Sequence, residues 1–171
     1  GSLSDPYEKT NLFPIAESGF LSKGEKSEPL DSGTALKRIG AMICLESVYP
    51  GKARYLTNRG ASTLFLLAND AAFGQSLVPY IHRNLLALRA VENNRYAVHA
   101  SNTGPSAFFD NKGRMLCGST YGKTAFITKD IIPITGKTFY NKFGDWFAWL
   151  CLIGLAFINF RRHSDTGEAK L

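Results

Sequence analysis

Cys44 closes the apolar run Gly40-Ala41-Met42-Ile43 and is followed by Leu45-Glu46. A buried strand that delivers a thiol to its carboxyl end, with a carboxylate two residues on, can present a nucleophile. Free cysteine is also a small hydrophobe that packs in cores, so the position alone does not choose between the two. Upstream, the segment Tyr7 to Glu17 sets Lys9 and Glu17 around Leu12, Phe13, Pro14 and Ile15. Those apolar residues predict a loop that packs, carrying its charged ends into a partly desolvated place. An ammonium beside a thiol favours the thiolate and stabilises the oxyanion formed when sulfur attacks a carbonyl, so one lysine serves two steps. A nearby glutamate can orient that lysine and move protons once its own pKa is tuned.

Other chemistry-bearing residues are read against plainer roles. Asn69-Asp70 ends an apolar run, at the edge where α/β sheets place their sites, and reads equally as turn chemistry. His82 reads as a satisfied polar residue, with no second histidine or cysteine at metal spacing; neither a metal nor a cofactor is expected. Arg89, Glu92 and Arg95 lie three apart and predict an ion-pair ladder on a helix. Cys117 and Cys151 read as packing residues, and the odd number of widely spaced cysteines argues against a disulfide framework.

The elements that must position these residues alternate in type. The patterns predict a strand from about Ala35 to Ile43, a helix over Tyr49 to Asn58 and a buried strand over Ser62 to Ala68. A longer helix over Pro79 to Asn94 is predicted to turn Ile81, Leu85, Leu88 and Val91 or Glu92 to one side. Strands at Tyr96 to Ser101 and Ser106 to Phe109 follow, the second turning through Asp110-Asn111-Lys112-Gly113 into Arg114 to Cys117. This order implies an α/β layered sheet. The stretch Gly19 to Lys37, rich in Ser, Gly, Lys and Glu, reads as a surface loop or as a mobile arm over the site it borders.

At 171 residues, 44% hydrophobic and 20% charged, the chain can build one domain with a real core. Its net charge of +6 is scattered, without a basic stripe interleaved with aromatics, so no nucleic-acid partner is expected. No amino-terminal signal peptide is read. The run Trp146 to Phe160 is free of charge, opens on two tryptophans and is followed by Arg161-Arg162. It predicts a membrane helix with a cytoplasmic carboxyl terminus, a buried or interfacial helix being the alternative because the run is shorter than the roughly 20 residues that usually span.

Taken together, Lys9 with Glu17, Cys44 with Glu46, Asn69-Asp70-Ala71-Ala72-Phe73-Gly74, His82, Arg89 to Arg95 and Ser101 to Ala107 resemble the carbon-nitrogen hydrolase (nitrilase) superfamily. Within it they are most similar to the branch that acylates lipoproteins. The resemblance implies a Glu-Lys-Cys triad with Lys9 as its lysine and Cys44 as its nucleophile, and it carries Glu17 and Glu46 over as supporting glutamates. It places the base glutamate upstream of the lysine, ahead of Gly1. Leu45, Asn69, Ala72 and Phe73 fall at substrate-binding positions; Leu45 and Ala72 stand where that branch often has an aromatic residue and a tryptophan. The implied fold is the second half of an α-β-β-α sandwich followed by a carboxyl-terminal membrane helix. Residues 1–142 would be the partial hydrolase domain, 143–162 the membrane helix and 163–171 a cytoplasmic tail. The implied reaction moves an acyl chain from a phospholipid, through a Cys44 thioester, to the amino-terminal lipid-modified cysteine of a diacylated prolipoprotein. The implied place is the bacterial inner membrane, with the catalytic domain periplasmic. Two rivals stay open: an amidase or nitrilase-type hydrolase, and a catalytically silent membrane-associated piece.

Overall fold

The computed structural model describes residues 6–13, 17–25 and 27–167. Pro14, Ile15 and Ala16 of the lysine loop, Gly1 and Ser2, and the last residues of the expected tail therefore lie outside the described residues.

Six strands form one sheet in chain order: β1 (Leu30–Asp31), β2 (Arg38–Ile43), β3 (Thr63–Ala68), β4 (Tyr96–Ser101), β5 (Ala107–Phe109) and β6 (Met115–Gly118). The strands β2, β3 and β4 run parallel, joined by helices α1 (Pro50–Asn58) and α2 (Val78–Asn93). The flanking pairs are antiparallel. Each helix has a proline in its first turn, where the missing N–H costs nothing. Asn94 ends α2 in the left-handed region, at φ 52°. The β5–β6 hairpin closes through Asp110, whose buried carboxylate accepts from the backbone N–H of Lys112 and Arg114. The strands β2 to β6 thus fall where the alternating pattern put them, although β2 starts at Arg38 rather than Ala35, and β1 lies in the stretch Gly19 to Lys37 that reads as a loop.

Both helices pack on one face of the sheet. Met42, Leu64, Leu66, Ala97, Ala107 and Phe109 meet Ala53, Leu56, Leu86 and Ala90 in a buried cluster. Gly40 permits this closeness: a Cβ there would sit 3.0 Å from both Ala61 Cβ and Leu64 Cδ2. The register aligns Ala41, Phe65, Val98, Phe108 and Cys117 in one row on the other face. A sheet apolar on both sides is built to be covered on both, as one half of a layered sandwich is.

Three expectations are corrected. The buried side of α2 is His82, Leu86, Arg89, Ala90 and Asn93, whereas Ile81, Leu88 and Val91 are exposed. Two of the polar members find partners there: His82 meets Asp70, and Asn93 meets Asn141. The ladder is also incomplete. Arg89 pairs with Glu92 at 3.1 Å, but Arg95 turns inward and donates to the carbonyls of Ala61, Asn93, Asn94 and Gly136. Third, the carboxyl-terminal segment divides into a short α3 (Phe139–Phe143) and a long α4 (Trp146–Gly167). Among the described residues no helix is long and apolar enough to cross a membrane. The uncharged stretch of α4, residues 146–160, reaches only about 22 Å at 1.5 Å per residue, against a hydrocarbon core of about 30 Å. Every side chain from Trp146 to Arg161 is exposed, Cys151 included, so that cysteine is no packing residue here.

Candidate active site

Parallel strands bring their carboxyl ends to one edge. Ile43 is level with Leu67, and Leu67 with Ala100, so Cys44 follows β2 at the edge where Ala68 pairs with Ser101. There the chain leaves β2 through a 3₁₀ turn, Cys44–Val48, with Cys44 held at φ 51°. A side chain with a Cβ pays for that conformation, which persists only where surroundings enforce it, and such strain gathers at functional sites.

Glu46 does the enforcing. Its fully buried carboxylate reaches back so that Oε2 accepts from the Ile43 N–H at 2.8 Å, across the residue that carries the thiol. The same oxygen accepts from the Tyr7 hydroxyl at 2.6 Å. Its other oxygen accepts from the Thr10 N–H at 2.8 Å, the Thr10 hydroxyl at 2.9 Å and the Asn11 N–H at 3.1 Å. One carboxylate therefore ties the loop on both sides of Lys9 to the turn that holds Cys44. Lys52, on the buried side of α1, lies 3.4 Å away and also donates to Thr10 and Ser27. Burial works against the charged form of Glu46, but the Tyr7 hydroxyl, the Ile43 and Thr10 N–H groups and Lys52 outweigh it and hold the carboxyl below its ordinary range. With its lone pairs so engaged, Glu46 anchors the site rather than transferring protons.

Lys9, with a nearly buried side chain, grips both oxygens of Glu17 at 2.5 and 2.6 Å. Glu17 also accepts from the Phe13 N–H at 2.7 Å. Burial raises the Glu17 carboxyl, but Lys9 and the Phe13 N–H overcome this and keep it below its usual value. The Lys9 charge and the neighbouring Leu45 N–H both act on the half-buried Cys44 sulfur. These two pull the thiol down without cancelling burial, which pushes it up and is joined by the Asp70 and Glu17 charges. The lysine loop and the sulfur's turn are held together by Glu46, and the resting group is a thiol that a base must deprotonate.

A second network closes the edge. Buried Asp70 accepts from the Ser101 hydroxyl at 2.8 Å and lies 2.9 Å from His82 Nδ1. Asn69 Oδ1 accepts from Asn102, whose own Oδ1 accepts from the Asp70 N–H. Phe73 sets its ring edge-to-face against His82 at 5.9 Å. Leu45 is half-buried beside the thiol, and Ala72 is exposed on the short turn Ala71–Phe73. The structure thus brings together Lys9, Glu17, Cys44, Leu45 and Glu46, with Asn69, Ala72 and Phe73 on the neighbouring loop of the same edge. Sequence reasoning missed Tyr7, Thr10, Lys52 and Ser101 as parts of the site. Only Lys52 carried a local signal, a charge in register with buried Ala53 and Leu56 on the inner side of α1.

A thiol at the carboxyl edge of a parallel sheet, on a turn tied to the loop of a glutamate-held lysine, has the parts to attack a carbonyl carbon. The carbon-nitrogen hydrolase family profile matches residues 1–134, and the chain belongs to that family. It is similar to the apolipoprotein N-acyltransferase of Geobacter metallireducens, at 35% identity over 153 residues covering 88% of this chain and 29% of the relative. The apolipoprotein N-acyltransferase of Gloeobacter violaceus is 37% identical over 148 residues, 84% of this chain and 27% of the relative. The chain spans less than a third of the length of either. Among solved structures, an amidase of the nitrilase superfamily from Nesterenkonia shares the fold with a TM-score of 0.56 at 24% identity, covering 67% of this chain and 45% of that one.

Proposed function

We propose that this chain carries the lysine and nucleophile half of an apolipoprotein N-acyltransferase. What supports this is the set of hydrogen bonds by which Glu46 ties the Lys9 loop to the Cys44 turn, in a chain whose relatives bear that name. The thiol proton passes to a base, for which the resemblance points to a glutamate upstream of Lys9. The sulfur attacks the ester carbonyl of a phospholipid, Lys9 and the Leu45 N–H face the oxyanion, and the carbon–oxygen bond breaks to release a lysophospholipid that takes the proton. The amine of a lipoprotein's lipid-modified amino-terminal cysteine then attacks the thioester. The carbon–sulfur bond breaks, an amide forms, and Cys44 recovers its proton.

Helix α4 supports a membrane setting. Its exposed tryptophans, phenylalanines and leucines need an apolar cover, and tryptophans at one end with Arg161 at the other suit a helix seated in the lipid interface. This fits the periplasmic surface of a bacterial inner membrane, where donor and acceptor both reside. The test is to incubate the full natural protein with phosphatidylethanolamine and weigh the peptide containing Cys44. A hydroxylamine-labile acyl adduct that is absent from Cys44→Ala supports the function; an unmodified Cys44 under turnover conditions defeats it.

A further inference from the structure

A cavity of about 360 Å³ opens at the sheet's carboxyl edge, beside the Asp70 network. Its walls include Ser101, Thr103, Ser106, Ser119, Lys123 and Thr124. The two loops that form it are stitched together: Ser119 N–H donates to Ser106 O at 2.8 Å, Ser106 N–H donates to Ser119 Oγ at 3.0 Å, and Gly122 N–H donates to Thr103 O at 2.9 Å. Since Ser119 Oγ accepts from backbone, its own hydrogen is left to donate. On the inner side, Ser101 donates to Asp70 and accepts from the Gly104 N–H, which fixes that wall against the site. Among the described residues no carboxylate lines the cavity, and Lys123 is its single charge and has no salt-bridge partner. The Ser101, Thr103 and Ser106 hydroxyls donate within the protein, which leaves those of Ser119 and Thr124, with one ammonium and no competing anion, to receive a singly charged oxyanion.

Position narrows the ligand. Ile43 and Ala100 are level across the sheet with β3 between them, so the strand ends that lead into Cys44 and Ser101 lie roughly 10 Å apart at ordinary strand spacing. That gap suits a molecule whose attacked ester and phosphate are joined through glycerol. We propose that this cavity is the phosphodiester subsite of the acyl donor, with Lys123 as its charged contact. This rests on the acyl-transfer function proposed above and adds to it a means of telling donor from acceptor, since the lipid on the acceptor cysteine carries no phosphate.

The experiment has two arms in the full natural protein. In the first, binding of glycerophosphoethanolamine to the Cys44→Ala protein is followed by calorimetry, with glycerol and inorganic phosphate for comparison. The phosphodiester is expected to bind, glycerol not, and Lys123→Ala to weaken binding roughly tenfold or more. Inorganic phosphate binding without the phosphodiester, or an affinity indifferent to Lys123→Ala, overturns the proposal. In the second arm, Cys44 acylation is compared for phosphatidylethanolamine and for diacylglycerol with the same chains. Lys123→Ala is expected to slow acylation from the phospholipid and leave diacylglycerol unaffected; an equal effect on both donors overturns the subsite. If neither donor acylates Cys44 while the phosphodiester still binds through Lys123, the acyl-transfer function falls and the subsite stands.

Discussion

Replacing Glu46 by glutamine keeps the shape of the anchor and removes its charge. One oxygen can still accept from Thr10 and Asn11, but the new amide turns its hydrogens toward the Ile43 N–H, setting donor against donor. Leaving that N–H without a partner costs about 1–3 kcal/mol. Lys52, only 7% exposed, keeps Thr10 and Ser27 but loses its counter-ion, and breaking a buried pair from one side costs about 3–5 kcal/mol. The losses overlap, so a fall of about 3–5 kcal/mol in unfolding free energy is expected, a large share of a typical domain's stability. Urea denaturation of the detergent-solubilised protein measures it. The double variant Glu46→Gln, Lys52→Met is expected to recover part of the loss, because the stranded ammonium is gone. The wild type, whose Glu46 carboxyl titrates below its unfolded value, holds this stability above the ordinary carboxylate range and loses it as pH falls through the lowered folded pKa. Glu46→Gln is expected to flatten that acid limb. A single variant within about 0.5 kcal/mol of wild type, the size of an ordinary surface change, would refute the anchoring argument.

Three further outcomes follow from other parts of the structure. A Cβ at Gly104 would lie 2.8 Å from both Asp70 Oδ2 and Ser101 Oγ, so Gly104→Ala is expected to cost about 1–3 kcal/mol, seen as a lower melting temperature. Arg95→Met strips the charged donor from four backbone carbonyls and is expected to cost about 3 kcal/mol or more by urea titration. Removing residues 146–171 is expected to abolish co-sedimentation with phospholipid vesicles while leaving iodoacetamide labelling of Cys44 unchanged, because α4 stands clear of the cleft.

The sheet was legible because β2, β3 and β4 are short apolar runs that keep their identity wherever they pack, and because Asp110 to Gly113 is turn chemistry in any context. The family was legible through the resemblance that Cys44, Lys9 and Glu17 help to carry, and the family profile bears it out. The inner face of α2 was not legible. Two stripes compete on that helix, and the apolar one, Ile81, Leu88 and Val91, lost to a stripe in which His82 and Asn93 find Asp70 and Asn141 in distant parts of the chain. Lys52 escaped for the same reason, as its partners Thr10, Ser27 and Glu46 meet only in the fold. Apolarity alone does not place Cys151, which is exposed on α4, and among the described residues no helix is long and apolar enough to cross a membrane.

The central claim is that the Lys9 charge acts on the Cys44 sulfur, and the rate of Cys44 alkylation as a function of pH, in wild type and in Lys9→Met, tests it most directly. Removing the ammonium leaves burial, Asp70 and Glu17 unopposed except by the Leu45 N–H. The midpoint of the alkylation curve is therefore predicted to move to higher pH, with slower labelling at neutrality. An unchanged midpoint in a folded Lys9→Met protein would contradict the account.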